Sequence, residues 1–234
     1  MAIPSYATRG ERIWHYVFLV ICGLVFLFLI GPLLVIIPLS FNAEPYFTFS
    51  KEMLTFDPAG YSLRWYQDFF TSSEWLNAIK NSFIIGIAST FLATVLGTVA
   101  ALGLSSRHMP ARGAIMALLI SPMIVPLIIS AAAMFFFFSK VNLAQTYVGV
   151  ILAHTALGIP FVVITVTATL SSFDTTLIRA AHSLGANPTR TFFKVVLPLV
   201  TPGVVSGALF AFITSFDEVV VVLFVGSASQ KTLP

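Results

Sequence analysis

From Ile13 to Ala43 the chain carries no Asp, Glu, Lys or Arg. In hydrocarbon every backbone N–H and C=O must be satisfied within the segment, so such a run reads as a helix, and roughly 20 residues cross a bilayer with some tilt. Pro32 and Pro38 are expected to kink or end it. The charged start followed by an apolar run has the outline of a signal peptide. The run is too long for one and has no small-residue cleavage site, so an uncleaved anchor is expected.

The rest of the chain follows the same rule. Of 234 residues 58% are hydrophobic and only 9% charged, against about 25% charged in a soluble domain. This is an all-α integral membrane protein forming a single transmembrane domain over 1–234. Five spans are read at about 16–39, 82–104, 114–138, 147–170 and 199–225. A lone Cys22 excludes a disulfide framework and a thiolate metal site. The net charge of +3 is small and scattered, so nucleic acid is not implied. With alternating spans, Arg9, Arg12, Arg107, Arg112, Arg179, Arg190 and Lys194 share one side with only Glu11 and Asp174. Lys51, Arg64, Lys80, Lys140 and Lys231 stand on the other among Glu44, Glu52, Asp57, Asp68 and Glu74. The positive-inside rule then places the N-terminus (1–14) in the cytoplasm.

Within the external loop 44–81, Trp65, Tyr66, Phe69 and Phe70 repeat at helical spacing, either at headgroup level or packed on neighbouring loops. Ser89, Ala93, Gly97, Ala101 and Ser105 recur every fourth residue in the second span, as do Gly203, Gly207, Ala211 and Ser215 in the fifth; such seams let helices approach closely in lipid. The third span is broken near its start by Pro122 and Pro126. His154 in the fourth has no histidine or carboxylate at ligand spacing and reads as a hydrogen-bonded packing residue. On a continuous helix Asp217 and Glu218 both face the protein side. A charge in a span costs about 2.5 to 3.5 kcal/mol on insertion scales, so the two acids bind a cationic substrate, pair with a base, or lie close enough to the outer surface to be hydrated.

The most punctuated stretch is 174–198, DTTLIRAAHSLGANPTRTFFKVVLP from Asp174 to Pro198. Asp174 is placed to cap a helix whose Leu177, Ala180, Ala181 and Leu184 fall at i, i+3, i+4 and i+7, with Gly185 at its stop. Asn187 and Pro188 open a second helix carrying Arg190 and Lys194, which Pro198 ends or bends. Two short capped helices between apolar spans form a docking device on the inner membrane surface.

The spacing Arg179-Ala180-Ala181-(three)-Gly185-(nine)-Val195-Val196-Leu197-Pro198 resembles the EAA motif of permease subunits in ABC importers. Arg179 stands where that family usually carries glutamate. YSLRWYQDFF, WLNAIKNSF and SFDEVVVVLF resemble the spermidine/putrescine branch. The resemblance implies a type I importer permease of the bacterial inner membrane, with a sixth span expected after residue 234. It implies that Arg179, Ala180, Ala181, Leu184, Gly185, Leu197 and Pro198 couple to a cytoplasmic ATPase dimer. A second homologous permease and an extracytoplasmic solute-binding protein complete the assembly, with Asp217 and Glu218 as candidate contacts for a polyamine or similar small-molecule substrate. The chain has no GxxxxGK[ST] loop, so no cofactor is expected in it, and ATP and Mg belong to the partner. Two other readings stay open: a secondary transporter coupling protons through Asp217 and Glu218, and, more weakly, an intramembrane enzyme using them as catalytic acids.

Overall fold

The computed structural model describes residues 8–106 and 109–234; Arg107 and His108 lie outside the described residues. The described residues are helical wherever they are regular, apart from one isolated bridge between Asn42 and Tyr61. They divide into two compact units, one ending at Ser72 and one running from Ser73 to Pro234. Four helices are long and apolar enough to cross a membrane, and a fifth span results if one bent pair counts as a single crossing.

The first unit opens with α1 (Arg9–Leu39), whose 31 residues reach roughly 46 Å at 1.5 Å each, more than a hydrocarbon core requires. Its start is locked by a capping box. The Thr8 hydroxyl accepts from the Glu11 N–H at 3.3 Å, and the Glu11 carboxylate accepts from the Thr8 N–H at 2.7 Å. The helix runs through Pro32 and stops one residue past Pro38, so Pro32 does not end it. Beyond it come α2 (Lys51–Leu54) and α3 (Arg64–Thr71). Buried Asn42 ties this segment together: its amide donates to the carbonyls of Tyr46 and Thr48, and its own carbonyl accepts from the Trp65 indole at 2.9 Å. Tyr66 shares a 2.7 Å hydrogen bond with Ser40. The aromatic face of α3 therefore packs on the loop at the end of α1, the second of the two readings open from sequence.

The second unit is built on α4 (Ser73–Leu104), α7 (Tyr147–Ser171) and α10 (Leu197–Phe216), which pack on one another. The helix that carries the second span begins at Ser73, nine residues before the apolar run, and Ala78 and Asn81 on it are buried. Two expectations are corrected. The third span is no single rod: α5 (Arg112–Ile124) and α6 (Leu127–Lys140) meet at 105°. Pro122 lies inside α5 without breaking it. The break falls at Val125, which is extended because the ring of Pro126 disfavours the helical region for the residue before it. The fifth span ends at Phe216, and a separate short helix α11 (Val220–Val225) follows.

The small-residue seams both close on α7. Ser89, Ala93, Gly97 and Ala101 are buried on α4, as are Gly203, Gly207, Ala211 and Ser215 on α10. A Cβ on Gly97 would stand 2.7 Å from the Val162 Cβ, and one on Gly207 would stand 2.8 Å from the Val162 Cα. Two helices thus seat against one residue of a third, an approach only glycine permits. At one level of this bundle lies a polar chain: His154 Nδ1 is 2.8 Å from the Ser215 hydroxyl, which accepts from Ser89 at 2.9 Å. His154 is a buried, hydrogen-bonded packing residue, as its isolation in the sequence suggests.

Candidate partner-docking site

The 174–198 stretch is assembled almost entirely from local signals. The Asp174 carboxylate accepts from the Thr176 N–H at 2.8 Å and the Thr176 hydroxyl at 2.6 Å. These bonds hold its carboxyl below its ordinary value, the hydroxyl contributing most. Asp174 therefore closes an Asx turn, while Thr175 is the boundary residue of α8 (Thr176–Ser183) and makes no side-chain cap bond. This corrects the cap position by one residue. The helix stops as anticipated. Gly185 adopts φ +80°, the Gly185 N–H donates to His182 O, and the Ala186 N–H reaches back to Ala181 O at 3.0 Å, a left-handed C-terminal closure. A Cβ on Gly185 would meet nothing within 4 Å, so backbone conformation rather than space calls for glycine here.

Asn187 then caps α9 (Pro188–Thr191), its side chain accepting from the Arg190 N–H at 2.8 Å with Pro188 in the first turn. Pro198 neither ends nor bends the helix away. Residues Phe192–Val196 form one π-helical turn in which the Leu197 N–H donates to Phe192 O, and the helix continues into α10 as one apolar rod from Pro188 to Phe216. A proline in regular α-helix clashes with the carbonyl four residues before it. Widening the preceding turn removes that demand.

The face that α8 presents is unusual for a short amphipathic helix. Ile178 and Ala181 are half-buried toward α9 and the π turn, while Leu177, Ala180 and Leu184 are exposed, Leu184 at 87%. Arg179, His182, Arg190 and Lys194 are exposed on the same element, with Phe193 at 60%. Leu197 is half-buried and Pro198 exposed. The expected coupling residues are thus brought together in one capped element, with its apolar ridge turned outward.

Asp217 and Glu218 part company. Because α10 ends at Phe216, the wheel that turned both acids inward no longer applies: Asp217 is exposed, whereas Glu218 is 7% exposed. One Glu218 oxygen accepts from the Val221 N–H at 2.9 Å, closing the start of α11. Among the described residues no group of three or more His, Cys, Asp or Glu could hold a metal ion.

A second polar cluster had no reading in the sequence. The Asn81 amide donates to the carbonyls of Ser229 and Lys231, both at 2.9 Å, and Tyr147 donates to its oxygen at 2.8 Å. The Leu233 N–H donates to the Ser82 hydroxyl. The segment after α11 is strapped to the start of α4 in this way. The one legible hint was an Asn-Ser pair at the edge of an apolar run.

Comparison with known proteins agrees with this geometry. Residues 93–233 match the family described as binding-protein-dependent transport system inner membrane component. The spermidine/putrescine transport system permease protein PotC of Haemophilus influenzae is 31% identical over 210 residues, covering 90% of this chain and 79% of that protein. The putrescine transport system permease protein PotI of Escherichia coli is 30% identical over 224 residues, 92% of this chain and 76% of that one. A bacterial ABC transporter involved in the import of the acidic polysaccharide alginate has the same fold, with a TM-score of 0.73 over 97% of this chain and 80% of its own at 16% identity. A capped loop helix, a small-residue bundle and these matches place the chain in the family of binding-protein-dependent transport system inner membrane components, as a non-catalytic permease subunit of an ABC transporter.

Proposed function

We propose that this permease subunit forms half of the pathway by which an ATP-driven importer carries a polyamine or similar organic cation across the bacterial inner membrane. Its N-terminus and the 174–198 element face the cytoplasm, where the element docks on an ATPase dimer that binds ATP and Mg. A second permease subunit and an extracytoplasmic binding protein complete the machine. The observation that carries this reading is the outward apolar ridge of α8. A rigid, capped helix exposing Leu177, Ala180 and Leu184 has its apolar surface uncovered until a partner covers it. Similarity to polyamine permeases supports the substrate class. Asp217, exposed at the break after α10, is the pathway carboxylate, and Glu218 is the structural one.

The test is reconstitution of the full transporter in proteoliposomes. ATP hydrolysis and uptake are measured with spermidine, putrescine and a neutral solute. Stimulation by the polyamines only, lost when Gly185 is replaced by Trp, is expected. Solute uptake by this chain alone, without an ATPase, would overturn the proposal. Asp217→Asn should lower uptake with an intact bundle, while Glu218→Ala, which strips the Val221 N–H of its acceptor, should lower stability instead; unchanged uptake in Asp217→Asn removes it from the pathway.

A further inference from the structure

We infer that the surface receiving the 174–198 element on the ATPase is an apolar groove rimmed by carboxylates. This inference rests on the docking reading above and specifies the chemistry of the partner. Four basic side chains, Arg179, His182, Arg190 and Lys194, are exposed on the element that carries the ridge of Leu177, Ala180 and Leu184. The stretch contains one acid, Asp174, and both of its carboxylate oxygens are engaged by Thr176. The charge of Arg179 is the smallest of the causes that lower the Asp174 carboxyl, and among the described residues no carboxylate lies within 4 Å of Arg179, Arg190 or Lys194; the ion pair found is Lys231 with Glu74. The element therefore carries exposed positive charge with little internal compensation. A partner that covers the element meets that charge. A neutral or basic wall there would leave guanidinium groups desolvated without a counter-charge, which is costly, whereas a carboxylate accepts the two parallel N–H bonds that an Arg fork presents.

Anionic lipid headgroups could also meet Arg190 and Lys194 at the foot of the helix. They do not account for Leu184, which sits at the tip of the turn, 87% exposed and held there by the closure at Gly185. An apolar ridge on a basic element matches an apolar groove with acidic surroundings.

The experiment uses the permease co-expressed with the ATPase and second permease of its own transporter, purified in detergent and in nanodiscs of zwitterionic lipid. Arg179→Lys keeps the charge and supplies an amine that a carbodiimide joins only to a carboxylate in direct contact. A cross-link mapped by mass spectrometry to an Asp or Glu of the ATPase is expected. So is loosening of the complex by on the order of tenfold between about 0.1 M and 0.5 M salt, and a comparable loss in Arg179→Glu at low salt. A complex that assembles normally, yet gives no carboxylate cross-link and no response to Arg179→Glu, would overturn the acidic rim while leaving docking intact. Failure of Leu184→Asp to weaken the wild-type assembly would instead overturn docking through this ridge. If charge reversal at Arg190 and Lys194 weakens binding to vesicles of anionic phospholipid but leaves ATPase affinity unchanged, lipid is the partner of these charges and the inference fails.

Discussion

The contact of Gly207 with Val162 sets how closely α10 can approach α7, and it can be probed one methyl at a time. A Cβ placed on Gly207 falls 2.5 Å from the Thr165 hydroxyl and 2.8 Å from the Val162 Cα. The first neighbour is a side chain that can turn, but the second is backbone, so the helices must part. Overpacking of this kind costs about 1 to 3 kcal/mol, while replacing a helical glycine by alanine returns up to about 1 kcal/mol of propensity. Gly207→Ala should therefore destabilise by about 1 kcal/mol net, and Gly207→Val by at least about 2 kcal/mol, since it adds bulk without regaining propensity. Gly103 lies on α4 with nothing within 4 Å of its would-be Cβ. Gly103→Ala isolates the propensity term and should be neutral or slightly stabilising. Unfolding of the purified chain in mixed micelles of rising SDS fraction, followed by tryptophan fluorescence, measures all three. If Gly207→Ala matches Gly103→Ala, the seam is not closed at Val162 and the packing argument is wrong.

Ser215→Ala should cost about 1 kcal/mol in the same assay, because it strips His154 Nδ1 of its partner when Nε2 already has none; Ser89→Ala, which leaves the Ser215–His154 bond in place, should cost less. Asn81→Ala removes three hydrogen bonds from a side chain 5% exposed and should open 226–234 to proteases, with Asn81→Asp failing equally because it cannot donate. The Asp174 carboxyl is depressed by the Thr176 hydroxyl and then by its N–H, so its contribution is complete above the unfolded value near 3.8 and is lost as pH falls through the lower folded value. The difference in α8 amide exchange between the wild type and Asp174→Asn should accordingly stay constant between about pH 5 and 8 and shrink only below the unfolded value; a difference that disappears within that window would contradict the assignment.

What could be read from the sequence was what is settled by neighbours a few residues away. The stop at Gly185 and the start at Asn187-Pro188 need only their own turn, and both stand where the pattern put them. Asp174 missed by one position because an Asx turn and a cap use the same acceptor two or three residues apart. The seams were visible as fourfold spacing, but Val162, the residue on which both close, is one valine among many in an apolar helix. Asn81 shows the limit most clearly: its partners lie 148 and 150 positions away, and no window on the sequence reaches them. For Asp217 the wheel failed because it assumed a continuous helix where α10 ends at Phe216, whereas Glu218 is buried as the wheel has it. The candidate residues of the loop could be grouped by their spacing alone, whereas the outward turn of Leu177 and Leu184 is a tertiary fact set by the packing of Ile178 and Ala181.

The π turn joins these two kinds of information, and its removal is the sharpest test of what the wide turn does. A π turn holds one more residue than the α-helix around it, so deleting Val195 should let 188–216 run as regular helix. Leu197 N–H and Phe192 O, already bonded across the turn, would then stand four residues apart, so the same bond closes as α-helix and the segments on either side keep their facing. The seam of Gly203 and Gly207 keeps its contact with Val162, and the ridge of Leu177, Ala180 and Leu184 keeps its direction. Restored α-helical register would bring the ring of Pro198 against the carbonyl four positions earlier, a strain of about 3 kcal/mol that Pro198→Ala in the same chain relieves. The deletion alone should thus unfold at a lower SDS fraction than the wild type, and the deletion with Pro198→Ala should unfold close to the wild type and still retain the ATPase on a permease affinity column. A deletion as stable as the wild type without Pro198→Ala would mean that the wide turn does not serve Pro198, and the account of the turn given above would have to be abandoned.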